Sequence, residues 1–399
     1  MKTELKDNIL TIFLEGRIDS NNAPELEQKL LDVLTQNASA AKIQIDVDKL
    51  EYISSAGLRV LLKLRKAIKK PLPVINASNE LYEIFNVTGF VELLEVHKRM
   101  REVSVEGCEV IGEGGYGKVY RLDPETIVKV YKPNFKLEFI EQERNASQKA
   151  FIMGVPTAIS YDVVKCGDCY GVVYEMINAK TIAQIISKDP SKIPELSAKS
   201  ARLLKELHKI IPSSDSGLPD YKEIFLNWSY SISKFLTEEE AKKLKNFISA
   251  IPDRKTFIHG DYHSKNIMVR NGELQLIDIG AACVGHPIFD IAEIMLVYII
   301  MPASRGGEIP DEYFLSMLGF DFNYTSQVWG TICGTYFGLS SPEEIETLTK
   351  KLIPYALLMM SYRATISPLF SPEELQAVVK RTVIERLLPA IDTVEPLDF

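Results

Sequence analysis

Polar and apolar positions alternate in short runs through the first hundred residues. Residues 9–14 read as a strand, and residues 42–47 have the two-residue alternation of a half-buried one. Between them, residues 23–34 carry apolar side chains at helical spacing, with Asp19, Ser20 and Asn21 ahead of them as candidate caps. The same reading predicts a helix over 57–68, a strand over 72–76 and a helix over 80–85. Strands alternating with helices predict a small α/β sandwich over residues 1–98. The stretch 97–104 is charged and aperiodic, so 99–104 is read as a linker. A strand-rich segment, 105–178, follows, and from 179 to 399 the pattern is mainly helical. Ser341-Pro342-Glu343-Glu344 and Ser371-Pro372-Glu373-Glu374 each offer a serine cap, proline at the first helical position and acids in the first turn.

Composition narrows the classes. A chain of 399 residues is too long for one ordinary core, so two or three domains are expected. Hydrophobic content of 46% with 25% charged residues is the balance of a soluble globular protein. The net charge of -8 leaves no nucleic-acid footprint at whole-chain level. The longest apolar run, near 294–303, is too short to span a bilayer. Met1-Lys2-Thr3-Glu4 lacks the apolar stretch of a signal peptide, so a cytoplasmic location is expected. The five cysteines do not form a disulfide framework. Cys166-Gly167-Asp168-Cys169 lies between two strand-like runs and, without partners at metal spacing, reads as a hairpin turn.

Candidate chemistry begins at Gly112-Glu113-Gly114-Gly115-Tyr116-Gly117. The spacing G-x-G-x-x-G fits a dinucleotide fold, a kinase loop or a plain glycine-rich turn. A dinucleotide site wants a helix directly after the last glycine, whereas Lys118-Val119-Tyr120-Arg121 continues as a strand. A loop between two strands suits ATP phosphates, because Gly112, Gly114 and Gly117 let backbone N–H groups approach closely. Lys129, flanked by β-branched residues, is either an exposed strand residue or the lysine that holds the α and β phosphates. Residues 135–150 read as a helix with Glu143 in its middle as the acid to orient that lysine, Glu141 being the alternative. Residues 172–177 then read as a buried strand leading to a hinge, where the Glu175 carbonyl and Ile177 N–H would face adenine and Tyr174 would flank the pocket.

The most specific signal is His259-Gly260-Asp261-Tyr262-His263-Ser264-Lys265-Asn266, followed by a strand over 273–277 and then Asp278. Phosphoryl transfer needs a carboxylate to orient and deprotonate the attacking hydroxyl, and oxygen ligands for the Mg²⁺ that bridges the phosphates. Asp261 suits the first role, and Asn266 and Asp278 suit the second. Residues 105–389 resemble the aminoglycoside phosphotransferase and choline kinase family, which has a bilobal protein-kinase-like fold, an N-lobe rich in strands and a helical C-lobe. The resemblance rests on His-Gly-Asp-x-His-x-x-Asn. It implies Asp261 as catalytic base, Asn266 and Asp278 as Mg²⁺ ligands, and Lys129 with Glu143 as the pair that positions ATP. Gly285-His286-Pro287-Ile288-Phe289-Asp290 resembles the family segment after the metal aspartate, with Asp290 an anchor for the catalytic loop. Ile279 stands where protein kinases place phenylalanine.

In the first domain, Ile53-Ser54-Ser55-Ala56-Gly57-Leu58 is a strand-turn-helix transition. Ser54 or Ser55 is either a helix N-cap or a phosphoacceptor, since a phosphate at a helix N-terminus meets free N–H groups and a favourable dipole. Residues 1–98 resemble a STAS domain, the fold of anti-sigma factor antagonists, through Gly16-Arg17-Ile18-Asp19, the Ser-Ser-Ala-Gly-Leu turn and Val87-Thr88-Gly89-Phe90. The resemblance puts the regulatory serine at Ser55 and implies a protein partner; Ser54 stands where the family often has aspartate. The basic residues Arg59, Lys63, Arg65, Lys66, Lys69 and Lys70 read as a solvated face.

Three functions fit. One is an ATP- and Mg²⁺-dependent kinase of a small hydroxyl compound with a STAS regulatory or docking module. Another is a protein serine kinase acting on Ser55 or a partner STAS domain. The third is a nucleotide-binding switch without catalysis. Every catalytic position is filled, which argues against the third. Between Asp278 and Asp290 there is no room for a long peptide-docking activation segment, which favours a small acceptor.

Overall fold

A computed structural model of the chain describes residues 1–6, 8–37, 40–304, 311–366 and 370–395. It divides into two compact units, Met1–Val103 and Ser104–Phe399.

The first unit is built from β1 (Lys2–Lys6), β2 (Ile9–Ile18), α1 (Ala23–Gln36), β3 (Lys42–Ile53), α2 (Ser55–Ile68), β4 (Val74–Ala77), α3 (Asn79–Val87), α4 (Phe90–Leu93), β5 (Val96–Lys98) and the two-residue β6 (Arg101–Glu102). Its sheet runs β1-β2-β3-β4-β5; β1 pairs antiparallel with β2 and the remaining pairs are parallel. Leu10, Ile12, Ile45 and Val47 from the central strands meet Leu61, Leu64, Leu81 and Phe85 from the helices in one buried cluster. This is the α/β architecture that the alternation predicts. Two details differ. Both central strands run further than the predicted 9–14 and 42–47, because β2 and β3 pair with each other out to Ile18 and Ile53. The cap position of α1 is Asn22, which makes no side-chain cap bond. Asp19 instead accepts from the Asn21 and Asn22 N–H groups at 2.8 and 3.3 Å, a local turn that competes with capping.

In the second unit, β7 (Val110–Glu113), β8 (Gly117–Arg121), β9 (Thr126–Tyr131), β10 (Ser160–Cys166) and β11 (Cys169–Glu175) lie in the order β10-β11-β9-β8-β7, all antiparallel. Helix α5 (Leu137–Ile152) lies between β9 and β10 in sequence. Cys166 and Cys169 face each other across the hairpin turn, where Gly167 has φ +60°, and neither is in a disulfide. The helical part begins with β12 (Lys180–Thr181), α6 (Ile182–Lys188), α7 (Ile193–Leu207), α8 (Tyr221–Ile232) and α9 (Glu238–Ala250). Four short strands, β13 (Thr256–Ile258), β14 (Ile267–Arg270), β15 (Glu273–Leu276) and β16 (Cys283–Gly285), interrupt it before α10 (Ile288–Met295). After these come α11 (Met301–Ala303), α12 (Asp311–Leu318), α13 (Thr325–Phe337), α14 (Pro342–Thr365), α15 (Pro372–Val379) and α16 (Leu388–Ile391). Segments Leu296–Ile300 and Lys380–Leu387 are π-helical. Ser341 and Ser371 form capping boxes with Glu344 and Glu374, as their spacing predicts.

Candidate active site

The site sits in a cleft of about 1150 Å³ lined by the glycine hairpin, β9, the segment after β11, the loop between β13 and β14, and residues 278–279. Gly112, Gly114 and Gly117 all line it. They belong to the β7–β8 hairpin, closed by Gly114 N–H donating to Gly117 O at 2.9 Å. Gly117 is obligatory there, since a Cβ would lie 1.9 Å from Val130 O. Tyr116, at the turn, packs its ring against Phe135 at 5.3 Å between centroids.

Lys129 lies on β9 with its ammonium 2.6 Å from Glu143 Oε1 and 2.8 Å from Asp278 Oδ1. Helix α5 therefore offers Glu143 rather than Glu141 to the lysine. The Tyr131 hydroxyl donates to the same Glu143 oxygen at 2.7 Å, fixing the carboxylate from a second side. Burial would pull the Lys129 ammonium down, but Asp278 and Glu143 outweigh it and hold the pKa far above its ordinary value. Gly280 completes this packing: a Cβ there would come 2.1 Å from Glu143 Cγ. The chain leaves β11 through Glu175-Met176-Ile177, which lines the cleft together with Tyr174. The Glu175 and Met176 N–H groups are spent on Ile159 O and Glu125 O, at 2.9 and 2.7 Å.

Asp261 follows β13 in a loop held from several directions. Asp290, at the start of α10, is fully buried and accepts from His259 N–H at 2.9 Å and Gly260 N–H at 2.8 Å. His208 Nε2 lies 3.1 Å from the same carboxylate, and its Nδ1 lies 2.7 Å from the Tyr336 hydroxyl. Gly260 takes φ +78° with its Cα against Ala281, where a Cβ would sit 2.4 Å from Ala281 O. Asn266 Nδ2 donates to Asp261 Oδ2 at 2.9 Å and to Asp261 O at 3.0 Å. That orientation leaves the Asn266 carboxamide oxygen for another partner. Ile277 N–H donates to Asn266 O at 2.9 Å, so the β14–β15 hairpin brings Asn266 alongside the chain that leads from β15 to Asp278. Asp278 itself adopts φ +60°, a left-handed conformation uncommon outside glycine.

Sequence reasoning missed Arg363. It reaches from the end of α14 to Gly260 O at 2.5 Å, to Asp261 Oδ1 at 3.3 Å and to Glu293 Oε1 at 3.1 Å. Burial would raise the Asp261 carboxyl, but His263, Arg363 and His259 more than offset it and hold its pKa below the carboxylate range. Burial also pushes the Glu293 carboxyl up, against the pull of Arg363. No local signal could have found Arg363, which is 102 residues from Asp261 and carries no motif.

The residues present suit a hard cation. One carboxamide oxygen and one carboxylate, with phosphate oxygens to complete the shell, is a Mg²⁺ donor set, and Mg²⁺ does not require an all-protein cage. No group of three or more His, Cys, Asp or Glu side chains that could hold a metal ion is found among the described residues. The first unit places Ser54 at the N-cap of α2, its hydroxyl accepting from Gly57 N–H at 3.4 Å. Ser55 is the first residue of that helix and is exposed. Gly57 packs where a Cβ would lie 2.6 Å from Ile18 Cγ2. Lys63, read as part of a solvated face, pairs with Glu27 of α1 at 2.8 Å.

A strand-rich part joined to a helical part, with this constellation in the cleft, defines a kinase-like phosphotransferase. The chain belongs to the phosphotransferase enzyme family, whose model matches residues 107–321. Residues 1–95 match the model described as Mlab, STAS domain. The chain is 31% identical over 93 residues to BtrV of Bordetella bronchiseptica, covering 23% of this chain and 78% of BtrV. It is 29% identical over 93 residues to the anti-sigma-B factor antagonist of Bacillus subtilis, covering 23% of this chain and 83% of that protein. Among solved structures, the gentamicin complex of APH(2'')-IIa is 17% identical with a TM-score of 0.47, covering 79% of this chain and 99% of that one. Among the described residues no helix is long and apolar enough to cross a membrane.

Proposed function

We propose that this chain is an ATP- and Mg²⁺-dependent kinase that phosphorylates the hydroxyl of a small acceptor, with its STAS domain as a regulatory or docking module for a protein partner. The observation that carries the reading is the convergence, in one cleft, of the glycine hairpin, the Lys129–Glu143–Asp278 cluster and the Asp261–Asn266 pair. The glycine hairpin covers the ATP phosphates, and Lys129, oriented by Glu143, holds the α and β phosphates. The Glu175 carbonyl and Ile177 N–H meet adenine. Asn266 and Asp278 would hold Mg²⁺, which when bound neutralises charge on the β and γ phosphates. Asp261, ionised at neutral pH, orients the acceptor hydroxyl. It takes the hydroxyl proton as the new O–P bond forms and the bond to ADP breaks. Calorimetry with Mg²⁺ and a non-hydrolysable ATP analogue tests the nucleotide site directly. No binding at millimolar nucleotide would overturn the reading.

One observation favours a second reading, phosphorylation of Ser55. Its hydroxyl is exposed at the first position of α2, beside the Ser54 cap, where a phosphate would meet free backbone N–H groups. The STAS relatives named as anti-sigma factor antagonists lend this weight. Intact-mass measurement after incubation with Mg²⁺–ATP, comparing wild type, Ser55→Ala and Asp261→Asn, decides it. Equal phosphate gain in wild type and Ser55→Ala removes Ser55 as the acceptor.

A further inference from the structure

We propose that the acceptor phosphorylated in this cleft is an anion: a hydroxyl compound with an apolar body and an oxyanion end. The inference rests on the phosphotransferase reading above and assigns a substrate class to that site. At about 1150 Å³ the cleft exceeds the ≈ 300–1,000 Å³ usual for a single small ligand, so it has room for an acceptor beside a nucleotide. Its lining includes the apolar side chains of Leu296, Val297, Ile300, Met360 and Val378.

Charge decides what that space accepts. Every carboxylate lining the cleft among the described residues already has a cation: Glu113 has Lys118, Glu175 has Arg270, Asp278 has Lys129, and Asp261 and Glu293 share Arg363. The cations are not all so matched. Lys265 lines the cleft and spends its ammonium on the Ser316 carbonyl at 2.8 Å. Arg386 also lines it, and its guanidinium meets the Met360 sulfur at 3.7 Å. Neither forms an ion pair with a carboxylate among the described residues. Among the described residues a cationic acceptor, such as an amino sugar or a quaternary ammonium alcohol, would find no unpaired carboxylate there and would face Lys265 and Arg386, which have no carboxylate partner. An oxyanion finds them ready.

The backbone at this wall is itself unusual. Arg381, Thr382 and Arg386 come from the π-helical segment Lys380–Leu387, and Leu296, Val297 and Ile300 from the π-helical segment Leu296–Ile300. π-helical turns are rare and are frequently found at functional sites. Here two of them line one cleft.

A matched pair of probes tests the charge preference on the full-length chain loaded with Mg²⁺–ADP: phenyllactate, an apolar hydroxy acid, and phenylalaninol, its amino-alcohol counterpart. Calorimetry is expected to show phenyllactate binding about tenfold tighter. Arg386→Gln should abolish that margin, and Arg386→Lys should keep most of it. Phenylalaninol binding as well or better, a margin that survives Arg386→Gln, or no binding of either probe at millimolar concentration overturns the proposal. Mg²⁺–ADP titrated first into the wild type reads the underlying phosphotransferase assignment separately. A nucleotide site that fills while the charge preference is absent leaves that assignment standing and sinks only the anionic acceptor.

Discussion

Two turns in this chain leave a strand and present an oxygen to solvent, and they are built very differently. The Asp261 turn is held by Asp290 below, Asn266 and Arg363 at the carboxylate, and a glycine folded against Ala281. The Ser54–Ser55 turn has one capping bond of 3.4 Å, and the serine beside it is exposed. A base that must meet a reacting hydroxyl within a few tenths of an ångström has to be over-determined. A serine displayed to a modifying enzyme or partner needs exposure and a helix start to accommodate charge. The two turns should therefore respond to mutation on different scales.

The largest effect is expected from Asp261→Asn. Loss of a positioned general base typically costs about 10²–10⁴-fold in rate. The substitution is nearly isosteric, so the fold should survive. Steady-state kinetics showing equal kcat would remove Asp261 from the chemistry.

Asp290→Ala comes next and strikes the support rather than the base. It strands the buried His259 and Gly260 N–H groups, and each unsatisfied donor costs about 1–3 kcal/mol. Chemical denaturation should show that loss, accompanied by lower activity, while Asp290→Asn, which keeps one acceptor oxygen, should lose less. An unchanged midpoint for Asp290→Ala would mean that the loop is held by its other contacts.

Smaller changes are expected at the other turn. Ser54→Ala removes an N-cap and should cost about 0.5–1 kcal/mol, at the low end for caps because its hydrogen bond is long. Ser55→Ala should stay within about 0.5 kcal/mol of wild type. If Ser55→Ala proved the more damaging of the two in denaturation, Ser55 would have a structural role that its exposure does not suggest.

The smallest expected effect is an absent one. The Asp261 pKa is depressed in the folded state, so the stability it contributes is present above the unfolded value near 3.9. That contribution is lost only as pH falls through the lower folded value. Asp261 should therefore add no acid limb to a kcat/KM profile between about pH 5 and 7. A limb in that window that disappears in Asp261→Asn would show that burial, not its cationic neighbours, governs this carboxyl.

Much of this molecule could be read from local order along the chain. The hydrophobic alternation predicted the α/β character of the first unit, because burial of one face writes a period of two or 3.6 into any sequence that folds this way. The glycine hairpin, Lys129, the run from His259 to Asn266, and Asp278 were legible because each depends on short spacing: glycines for close backbone approach, loop residues between paired strands. What local order could not settle depended on the phase and reach of distant elements. Glu141 and Glu143 are two residues apart on one helix, and the packing of α5 decided which one meets Lys129. Arg363 joins Asp261 across 102 residues, and the cations of Lys380–Leu387 reach the cleft through a π-helical turn that leaves no mark on a 3.6-residue period. The sequence by itself determined the elements and the reactive groups. Tertiary packing alone decided which charges were paired, because charge compensation depends on distance in space and not on distance along the chain.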